Sequence, residues 1–277
     1  MRQPEAIRLY CKALRLPTMR EVAGETIARA EREAWSLETF LAHLLEQEVE
    51  GRRQRRVERL QKQSHLPPGK TLAQFDESRL PLRIRRMLPQ LQTGDFVDRA
   101  DNILLFGLPG TGKTHLAAGL GHALIETGRS VLFTPTYQLV GRLLRAKRDY
   151  ELERELRRLD KFQVVILDDI GYVQQTREEM EVLFTFLAER YERRSVMITS
   201  NLVFSEWDKI FKDPLTTAAA IDRVVHHSII IEFGKEISSR RAEEAARRNR
   251  GAFDPSVEHE NVAEQVVTDN QDMGISN

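Results

Sequence analysis

Residues 107–114 form a glycine-rich motif, Gly-Leu-Pro-Gly-Thr-Gly-Lys-Thr, whose residue types suit the binding of phosphate. Its glycines let the backbone turn so that successive N–H groups point at phosphate oxygens. Lys113 can reach the β- and γ-phosphates of a nucleoside triphosphate, and the Thr114 hydroxyl can ligate Mg²⁺. The predicted nucleotide-binding residues are Gly107, Pro109, Gly110, Thr111, Gly112, Lys113 and Thr114 of this motif, and His115, which follows it.

The segments on either side give this motif the context that it requires. Residues 103–106, Ile-Leu-Leu-Phe, form an apolar run that is typical of a buried strand. Residues 114–127 are predicted to form a helix, whose partially positive N-terminus faces the same anion. Gly128 suits the end of that helix. The strand, the loop and the helix together predict a nucleotide site.

A second motif, Val-Val-Ile-Leu-Asp-Asp at residues 164–169, combines a buried strand with two carboxylates. Open parallel sheets bind ligands at the carboxyl ends of their strands, which is where these carboxylates lie. Asp168 is the candidate for Mg²⁺ coordination, and Asp169 would orient or deprotonate the attacking water. A simple Asp-Asp turn at the end of a strand is the alternative, which the preceding phosphate-binding motif disfavours.

Three further residues are candidates for the same site. Asn201 follows a strand predicted at residues 195–199, so it can sense the γ-phosphate or the attacking water. The alternative is an Asn that turns into the loop before Ser205, which could cap the following helix. Arg223 could be an arginine finger that reaches a neighbouring subunit's nucleotide, or a surface residue paired with Asp222. Arg240, on a helix predicted over residues 238–249, could contact the nucleotide.

The spacing of the histidines in the sequence does not indicate a further metal-binding site. His115 and the adjacent pair His226 and His227 lack the spacing of metal ligands. We therefore expect no metal other than nucleotide-bound Mg²⁺.

Two basic clusters are candidates for binding the phosphates of a nucleic acid. Residues 52–62 contain six basic residues and one acid, and arginine, which suits phosphate contacts, predominates. A merely solvated helix face is the alternative for this run. The second cluster lies in a helical region predicted over residues 138–159. It could bind the nucleic acid in place of residues 52–62 or together with them. The candidate DNA-binding residues are Arg52, Arg53, Arg55, Arg56, Arg59, Arg142, Arg145, Lys147 and Arg148.

The order of the predicted elements divides the chain into three parts. Residues 1–66 read as an all-helical N-terminal domain, in which Ser36 can cap a third helix. Residues 67–250 follow a Leu-Pro-Pro-Gly linker and alternate strands with helices, which predicts an α/β fold with a parallel sheet. Residues 251–277 are acidic and are predicted to be disordered. In the third helix, apolar residues recur at helical spacing and form an apolar stripe on one face: Leu37, Phe40, Leu41, Leu44 and Leu45.

The composition of the chain bears on its charge, its cysteine use and its location in the cell. The 277 residues carry equal numbers of basic and acidic side chains, 42 each. Six of the acids lie in residues 251–277, which lack Lys and Arg, so residues 1–250 have a net charge of +6. The lone Cys11 is expected to be a packing residue. With neither a signal-peptide pattern nor an apolar run long enough for a membrane, we expect a cytoplasmic protein without a membrane partner.

The motifs together resemble those of the IstB branch of the AAA+ ATPases, the helper proteins of insertion-sequence transposases, which are similar to the DnaC helicase loaders. The resemblance covers roughly residues 1–250. It rests on Gly-Leu-Pro-Gly-Thr-Gly-Lys-Thr-His-Leu-Ala, Val-Ile-Leu-Asp-Asp-Ile-Gly, Ile-Thr-Ser-Asn-Leu and Asp-Arg-Val-Val-His.

The resemblance implies an AAA+ P-loop core, with its parallel sheet flanked by helices, behind the helical N-terminal domain. It implies ATP and Mg²⁺ as cofactors, homo-oligomerisation through AAA+ interfaces, and double-stranded DNA and a cognate transposase as partners. Asn201 matches the first sensor, Arg223 the finger and Arg240 the second sensor. Asp169 stands where AAA+ proteins in general have Glu; because Asp is one methylene shorter, we expect slow hydrolysis that DNA or a partner stimulates.

Other functions remain open at this stage. A helicase loader would share these motifs and differ in its partner. An ATP-gated DNA scaffold with vestigial hydrolysis is compatible with Asp169. A small-molecule kinase is disfavoured, because it would gain nothing from a basic helical arm or from an arginine that acts on a neighbouring subunit.

Overall fold

The N-terminal region is helical in the computed structural model, which describes residues 3–172, 176–202 and 224–233. Helices α1 (Gln3–Ala13), α2 (Pro17–Arg32) and α3 (Leu37–Ser64) follow one another. Pro17 occupies the first turn of α2, where its missing N–H costs nothing. Ser36 caps α3 as predicted, accepting a hydrogen bond from the Thr39 N–H at 3.2 Å. Of the helices in the described ranges, none has both the length and the apolarity to cross a membrane.

A short lead-in and an alternation of strands and helices follow. The elements are α4 (Leu82–Thr93), α5 (Asp95–Asp98), β1 (Asn102–Phe106), α6 (Lys113–Glu126), β2 (Val131–Pro135), α7 (Thr136–Arg148), α8 (Leu152–Leu159), β3 (Val164–Asp168), α9 (Arg177–Arg190), β4 (Ser195–Ser200) and β5 (Ser228–Glu232). The strands predicted at residues 103–106, 164–167 and 195–199 occur within about two residues of those bounds. The predicted helix over residues 238–249 and the acidic tail lie outside the described residues.

The five described strands form one parallel sheet in the order β2-β3-β4-β1-β5. Because the strands are parallel, their carboxyl ends share one edge of the sheet. The register pairs Phe106 with Ser200 and Leu167 with Ile198, so the residues that follow β1, β3 and β4 meet at that edge. The sheet therefore brings the phosphate-binding motif and Asp168 together, as the sequence predicted.

Successive strand residues pack into two cores on opposite faces of the sheet. Ile103 and Leu105 join the core that lies under α3, α4 and α6, whereas Leu104 and Phe106 join the core under α7, α8 and α9. All four side chains are at most 2% exposed. Burial on both faces explains why this strand reads as an unbroken apolar run.

The helical region predicted over residues 138–159 consists of two helices. Helix α7 ends at Arg148 and α8 begins at Leu152. Tyr150 adopts a left-handed conformation (φ 57°) between them, and the Glu151 N–H donates to the Ala146 carbonyl at 2.7 Å. Such a closure satisfies the last carbonyls of α7. The residues at the break, Asp149, Tyr150 and Glu151, include neither Gly nor Pro, so the sequence gives no signal that the helix ends there.

Helix α3 joins the two regions of the chain. Its first half exposes most of the predicted apolar stripe: Leu44 is 6% exposed, but Leu37 is 86% and Leu41 is 54% exposed. Its second half packs on the sheet region, where Val57 and Leu60 belong to the same core as β1. The apolar stripe of α3 therefore did not indicate which face of the helix packs against the rest of the protein. The predicted domain boundary at residue 66 remains a prediction.

Glu48 is the polar centre of the contact between α2 and α3. Its carboxylate is buried and accepts hydrogen bonds from the backbone N–H groups of Thr18 (2.8 Å) and Met19 (3.0 Å). Arg52 donates to it at 3.0 Å and Arg55 at 3.3 Å. Burial alone would raise the pKa of Glu48, but these donors outweigh it, so the pKa is lowered from the usual 4.5.

We expect Glu48→Gln to destabilise the protein by about 1–3 kcal/mol, because the variant leaves a buried cluster of donors without its charged acceptor. A lowered pKa stabilises the folded state above the pKa of the unfolded state, and this stabilisation is lost as the pH falls. The difference between wild type and variant should therefore be fully present above about pH 4.5 and shrink below it. Urea unfolding over this range measures it. Glu46→Gln, an exposed change on the same helix, is the control, and an equal effect there would contradict the assignment.

Candidate nucleotide-binding site

The phosphate-binding motif forms the turn between β1 and α6. Gly112 is the residue before the first turn of α6 and has φ 107°, a left-handed conformation that glycine adopts without strain. Having no side chain, Gly112 leaves the first N–H groups of the helix open to an external anion. The geometry is therefore that of a helix N-terminus that can hold phosphate.

Lys113 is the first residue of α6 and is 9% exposed. Its Nζ donates to the carbonyl oxygens of Gly107 (2.7 Å) and Leu108 (2.8 Å), both in the same loop. The ammonium group is thus positioned over the loop that its own motif forms. Phosphate oxygens placed in the loop would lie within reach of the same charge.

Three oxygen-bearing side chains converge between β1, β3 and β4. The hydroxyl of Thr114 donates to Oδ1 of Asp168 at 2.8 Å, and the hydroxyl of Thr199 donates to the same atom at 2.7 Å. A carboxylate and a hydroxyl oxygen are the hard ligands that Mg²⁺ prefers, with water and phosphate completing its shell. The structure therefore brings the predicted pair, Thr114 and Asp168, into one place, and their chemistry fits nucleotide-bound Mg²⁺.

Thr199 is the member of this group that sequence reasoning missed. It is 1% exposed at the end of β4, and its hydroxyl also accepts the backbone N–H of Asp169 at 2.8 Å. One side chain thus orients both carboxyl residues. The available signal was a threonine that interrupts the apolar run of a central strand, one position before the site edge.

Asp169 and Asn201 lie beside this group. Asp169 has φ 62°, a conformation that non-glycine residues adopt at a cost and that occurs often at functional sites. Oδ1 of Asn201 is buried and has no hydrogen-bond partner among the described residues. A Cβ added to Gly171 would clash with that oxygen, so the position of Asn201 depends on a glycine at residue 171.

The lead-in to β1 packs against the phosphate-binding loop. Nε2 of His115 lies 2.9 Å from the Thr71 carbonyl, and its ring meets Phe75 edge-on at 5.3 Å. A Cβ on Gly112 would lie 3.1 Å from the ring of Phe75, which shows how closely the ring approaches the loop. His115 thus contacts the lead-in, and its predicted role toward the nucleotide stays a prediction. Phe75, which no motif in the sequence marks, supports the loop.

Arg223 and Arg240 lie outside the described residues, and their predicted roles stay predictions. The described chain resumes at Val224, directly after Arg223. The Val224 carbonyl accepts a hydrogen bond at 3.1 Å from the side chain of Asn102, the first residue of β1. The residue after Arg223 is therefore anchored to the sheet at the end opposite the phosphate-binding loop.

The two predicted DNA-binding clusters differ in how their charges are used. In the first, Arg52 and Arg55 pair with buried Glu48, and Arg53 pairs with Glu50 at 2.8 Å. Arg56 donates to the Gly128 carbonyl at 2.8 Å. Arg59 and Lys62, which are both exposed, have no ion pair with any described residue.

The second cluster is more nearly neutralised by acids. Arg142 pairs with Glu155, Lys147 with Glu181 at 2.7 Å, and Arg148 with Glu178 at 4.0 Å. Arg145 contacts the Gly141 carbonyl of its own helix. We therefore expect the first cluster to contribute more to DNA binding, and both remain proposals.

Comparison with known proteins identifies the family of this chain. The profile of the family described as IstB-like ATP binding protein matches residues 10–246. The chain belongs to this family. It is 46% identical over 239 residues to a putative insertion sequence ATP-binding protein of Sinorhizobium fredii, a match that covers 86% of this chain and 80% of the relative. It is 42% identical to the IS21 putative ATP-binding protein of Pseudomonas aeruginosa, over 71% of this chain and 74% of the relative.

Solved structures of similar fold confirm the predicted AAA+ P-loop class. The AMPPCP-bound DnaA of Aquifex aeolicus aligns with a TM-score of 0.50 at 17% identity, covering 69% of this chain and 57% of that chain. DnaI aligns with a TM-score of 0.51 at 21% identity, covering 62% of this IstB-like chain and 96% of that chain. These likenesses establish the fold, and membership of the IstB-like family establishes an ATP-binding protein.

Proposed function

We propose that this IstB-like protein is an ATPase that assembles in an ATP-dependent manner as an oligomer on double-stranded DNA and recruits or activates an insertion-sequence transposase. Its hydrolysis is slow and is stimulated by DNA or a partner. The observation that carries the proposal is the group formed by Thr114, Asp168 and Thr199, with Asp169 beside it, at the phosphate-binding loop of an IstB-like chain. The names of its relatives, which are insertion-sequence ATP-binding proteins, support transposition as the process.

Each residue of the site has a part in hydrolysis. The loop N–H groups and Lys113 bind the phosphates, and Thr114 and Asp168 would hold Mg²⁺, which supplies charge neutralisation when bound. Asp169 accepts a proton from the attacking water or orients that water. Asn201 orients the water or the γ-phosphate, and Arg223 of a neighbouring subunit would stabilise the charge that develops on the γ-phosphate.

The DNA path can be tested with two matched sets of substitutions. The first set, Arg53→Gln, Arg59→Gln and Lys62→Gln, removes three charges and leaves the Glu48 cluster intact. The second set, Arg145→Gln, Lys147→Gln and Arg148→Gln, removes the same number from α7. We expect the first set to weaken binding to unrelated duplexes and to reduce the slope of log K against log salt by roughly 0.9 for each DNA phosphate that is no longer neutralised.

Fluorescence anisotropy over a series of salt concentrations measures both sets. If only the second set flattens the slope, the DNA path runs along α7. If neither set changes it, DNA binding does not use these clusters.

The partner is tested separately from DNA. The protein assembled with ATP on DNA should retain the transposase encoded by the same insertion sequence and should not retain a replicative helicase. Retention of the helicase alone would favour a helicase loader. Retention of the transposase without any measurable ATP turnover would favour an ATP-gated scaffold.

The contact between Gly171 and Asn201 gives a test of the first sensor. Because a Cβ at residue 171 would clash with Oδ1 of Asn201, Gly171→Ala must displace that side chain. We expect ATP affinity close to wild type and turnover reduced by up to about 10²-fold, the cost of a misplacement of roughly 1 Å. Gly141→Ala is the control, since no atom lies within 4 Å of a Cβ added there. Wild-type turnover in Gly171→Ala would remove Asn201 from the mechanism.

A further inference from the structure

We propose that Glu192, His226 and His227 form a binding site for a divalent cation of the zinc class, at the edge of the sheet opposite the nucleotide site. Glu192 lies in the turn between α9 and β4, and the two histidines directly precede β5. The sequence alone displays only an adjacent His pair, because the third residue is more than thirty positions away. This inference does not depend on the proposed function.

The three side chains are close enough to share one ion. One ligand atom from each residue lies within 4.8 Å of the others. Oε1 of Glu192 and Nε2 of His227 are already 3.6 Å apart. Two ligands bound at about 2.1 Å to a tetrahedral Zn²⁺ are about 3.4 Å apart, so this pair needs almost no movement. All three residues are exposed, so an ion can enter and the side chains can adjust.

A neighbouring hydroxyl orients one of the ligands, His226. Nδ1 of His226 lies 3.3 Å from the hydroxyl of Tyr191. When Nδ1 donates to that oxygen, Nε2 carries the lone pair that a metal requires, and the ring is held in place. Glu192 has φ 55°, a costly conformation for a residue of its type.

Asn102 connects the segment of the two histidines to β4, the strand that follows Glu192. Its backbone N–H donates to the His227 carbonyl at 2.6 Å, and its side-chain N–H₂ donates to the Val224 carbonyl at 3.1 Å. Its side-chain oxygen accepts the Val196 N–H at 2.8 Å in β4. Asn102 is 7% exposed, so one buried residue ties the segment of the two histidines to β4, which begins three residues after Glu192.

The chemistry of the ligands selects the ion. Two imidazoles and one carboxylate suit Zn²⁺ and related transition metals, whereas Mg²⁺ prefers oxygen ligands alone. Three protein ligands leave a coordination position for water or for a group from another molecule. Bound metal would tie the turn before β5 to the turn after α9. Arg223 is three positions before His226 in the sequence, so the ion would fix the chain close to the predicted finger.

The test is equilibrium dialysis of the full chain against Zn²⁺, after treatment with a chelator and in excess Mg²⁺ without nucleotide. We expect one Zn²⁺ for each chain, and at least about a tenfold loss of affinity in each of His226→Ala, His227→Ala and Glu192→Gln. His65→Asn is the control, because it removes an exposed histidine elsewhere and Asn tolerates the left-handed backbone at residue 65 (φ 54°). X-ray absorption at the zinc edge should show imidazole nitrogen and no sulfur, which excludes Cys11.

The substituted residues are exposed, so the variants should fold, and circular dichroism checks this. A folded His226→Ala, His227→Ala double variant that binds Zn²⁺ as wild type does would overturn the proposal. So would a wild-type protein that binds no stoichiometric Zn²⁺, in which case Glu192 and His227 are only neighbouring surface side chains.

Discussion

Lys113→Ala is expected to abolish ATP-supported assembly on DNA. The side chain is almost fully buried, and its ammonium group lies over the phosphate-binding loop, 2.7 Å and 2.8 Å from two loop carbonyls. Removing it takes away a charged contact to the β- and γ-phosphates. Hydrogen bonds to charged groups are worth about 1.5–3 kcal/mol, so ATP affinity should fall by roughly 10- to 150-fold.

Titration with a fluorescent ATP analogue measures the affinity, and analytical ultracentrifugation with DNA measures assembly. Lys161→Ala is the matched control, because Lys161 is an exposed lysine before β3, at the opposite edge of the sheet. Undiminished ATP affinity in Lys113→Ala would show that the nucleotide site has been misplaced. Failure of assembly in both variants would show that assembly responds to net charge rather than to the nucleotide.

The parts of this site that could be predicted from the sequence are those carried by local patterns. The phosphate-binding loop needs a strand, glycines at fixed positions and a helix, and all of these are contiguous. Asp168 is the last residue of a strand, and parallel strands bring their carboxyl ends to one edge. Proximity of Thr114 to Asp168 therefore follows from the topology, and the structure places their oxygens 2.8 Å apart.

The parts that the sequence concealed depend on contacts between distant segments. Thr199 orients Asp168 and Asp169, but a single threonine in a strand is more often a packing residue. Gly171 matters because Asn201, thirty positions later, approaches it. The spacing of residue types along the sequence does not indicate which distant residues contact each other, so these contacts are known only from the folded structure.

Helix α3 shows a different limit of sequence reasoning. Its apolar stripe has the periodicity of a buried face. In the part of the chain that the structure describes, however, Leu37, Leu41 and Leu45 are exposed to solvent. Periodicity identifies a helix with an apolar side, but it does not say which segment covers that side. In the second half of the helix, by contrast, the core residues Val57 and Leu60 come from the basic segment 52–62.

Arg223→Ala should reduce ATP hydrolysis by about 10³- to 10⁵-fold, the contribution that an arginine finger makes in other nucleotide hydrolases. ATP binding to the isolated protomer should remain near wild type, because Lys113 and the loop N–H groups provide it. ATP-dependent assembly should weaken, since the guanidinium would bridge two subunits. Arg223→Lys keeps the charge but loses the planar fork, so turnover should recover only in small part.

A mixture of two inactive variants tests whether Arg223 acts on a neighbour. Arg223→Ala lacks the finger and retains a nucleotide site, whereas Lys113→Ala lacks the nucleotide site and retains the finger. In a mixed oligomer, some junctions combine an intact site with an intact finger, so turnover should exceed the sum of the two separate activities and depend on their ratio. Differently tagged subunits show whether the variants assemble together. If they do so without any gain in turnover, Arg223 is a partner of Asp222 or a DNA contact, and the mechanism that acts between subunits fails.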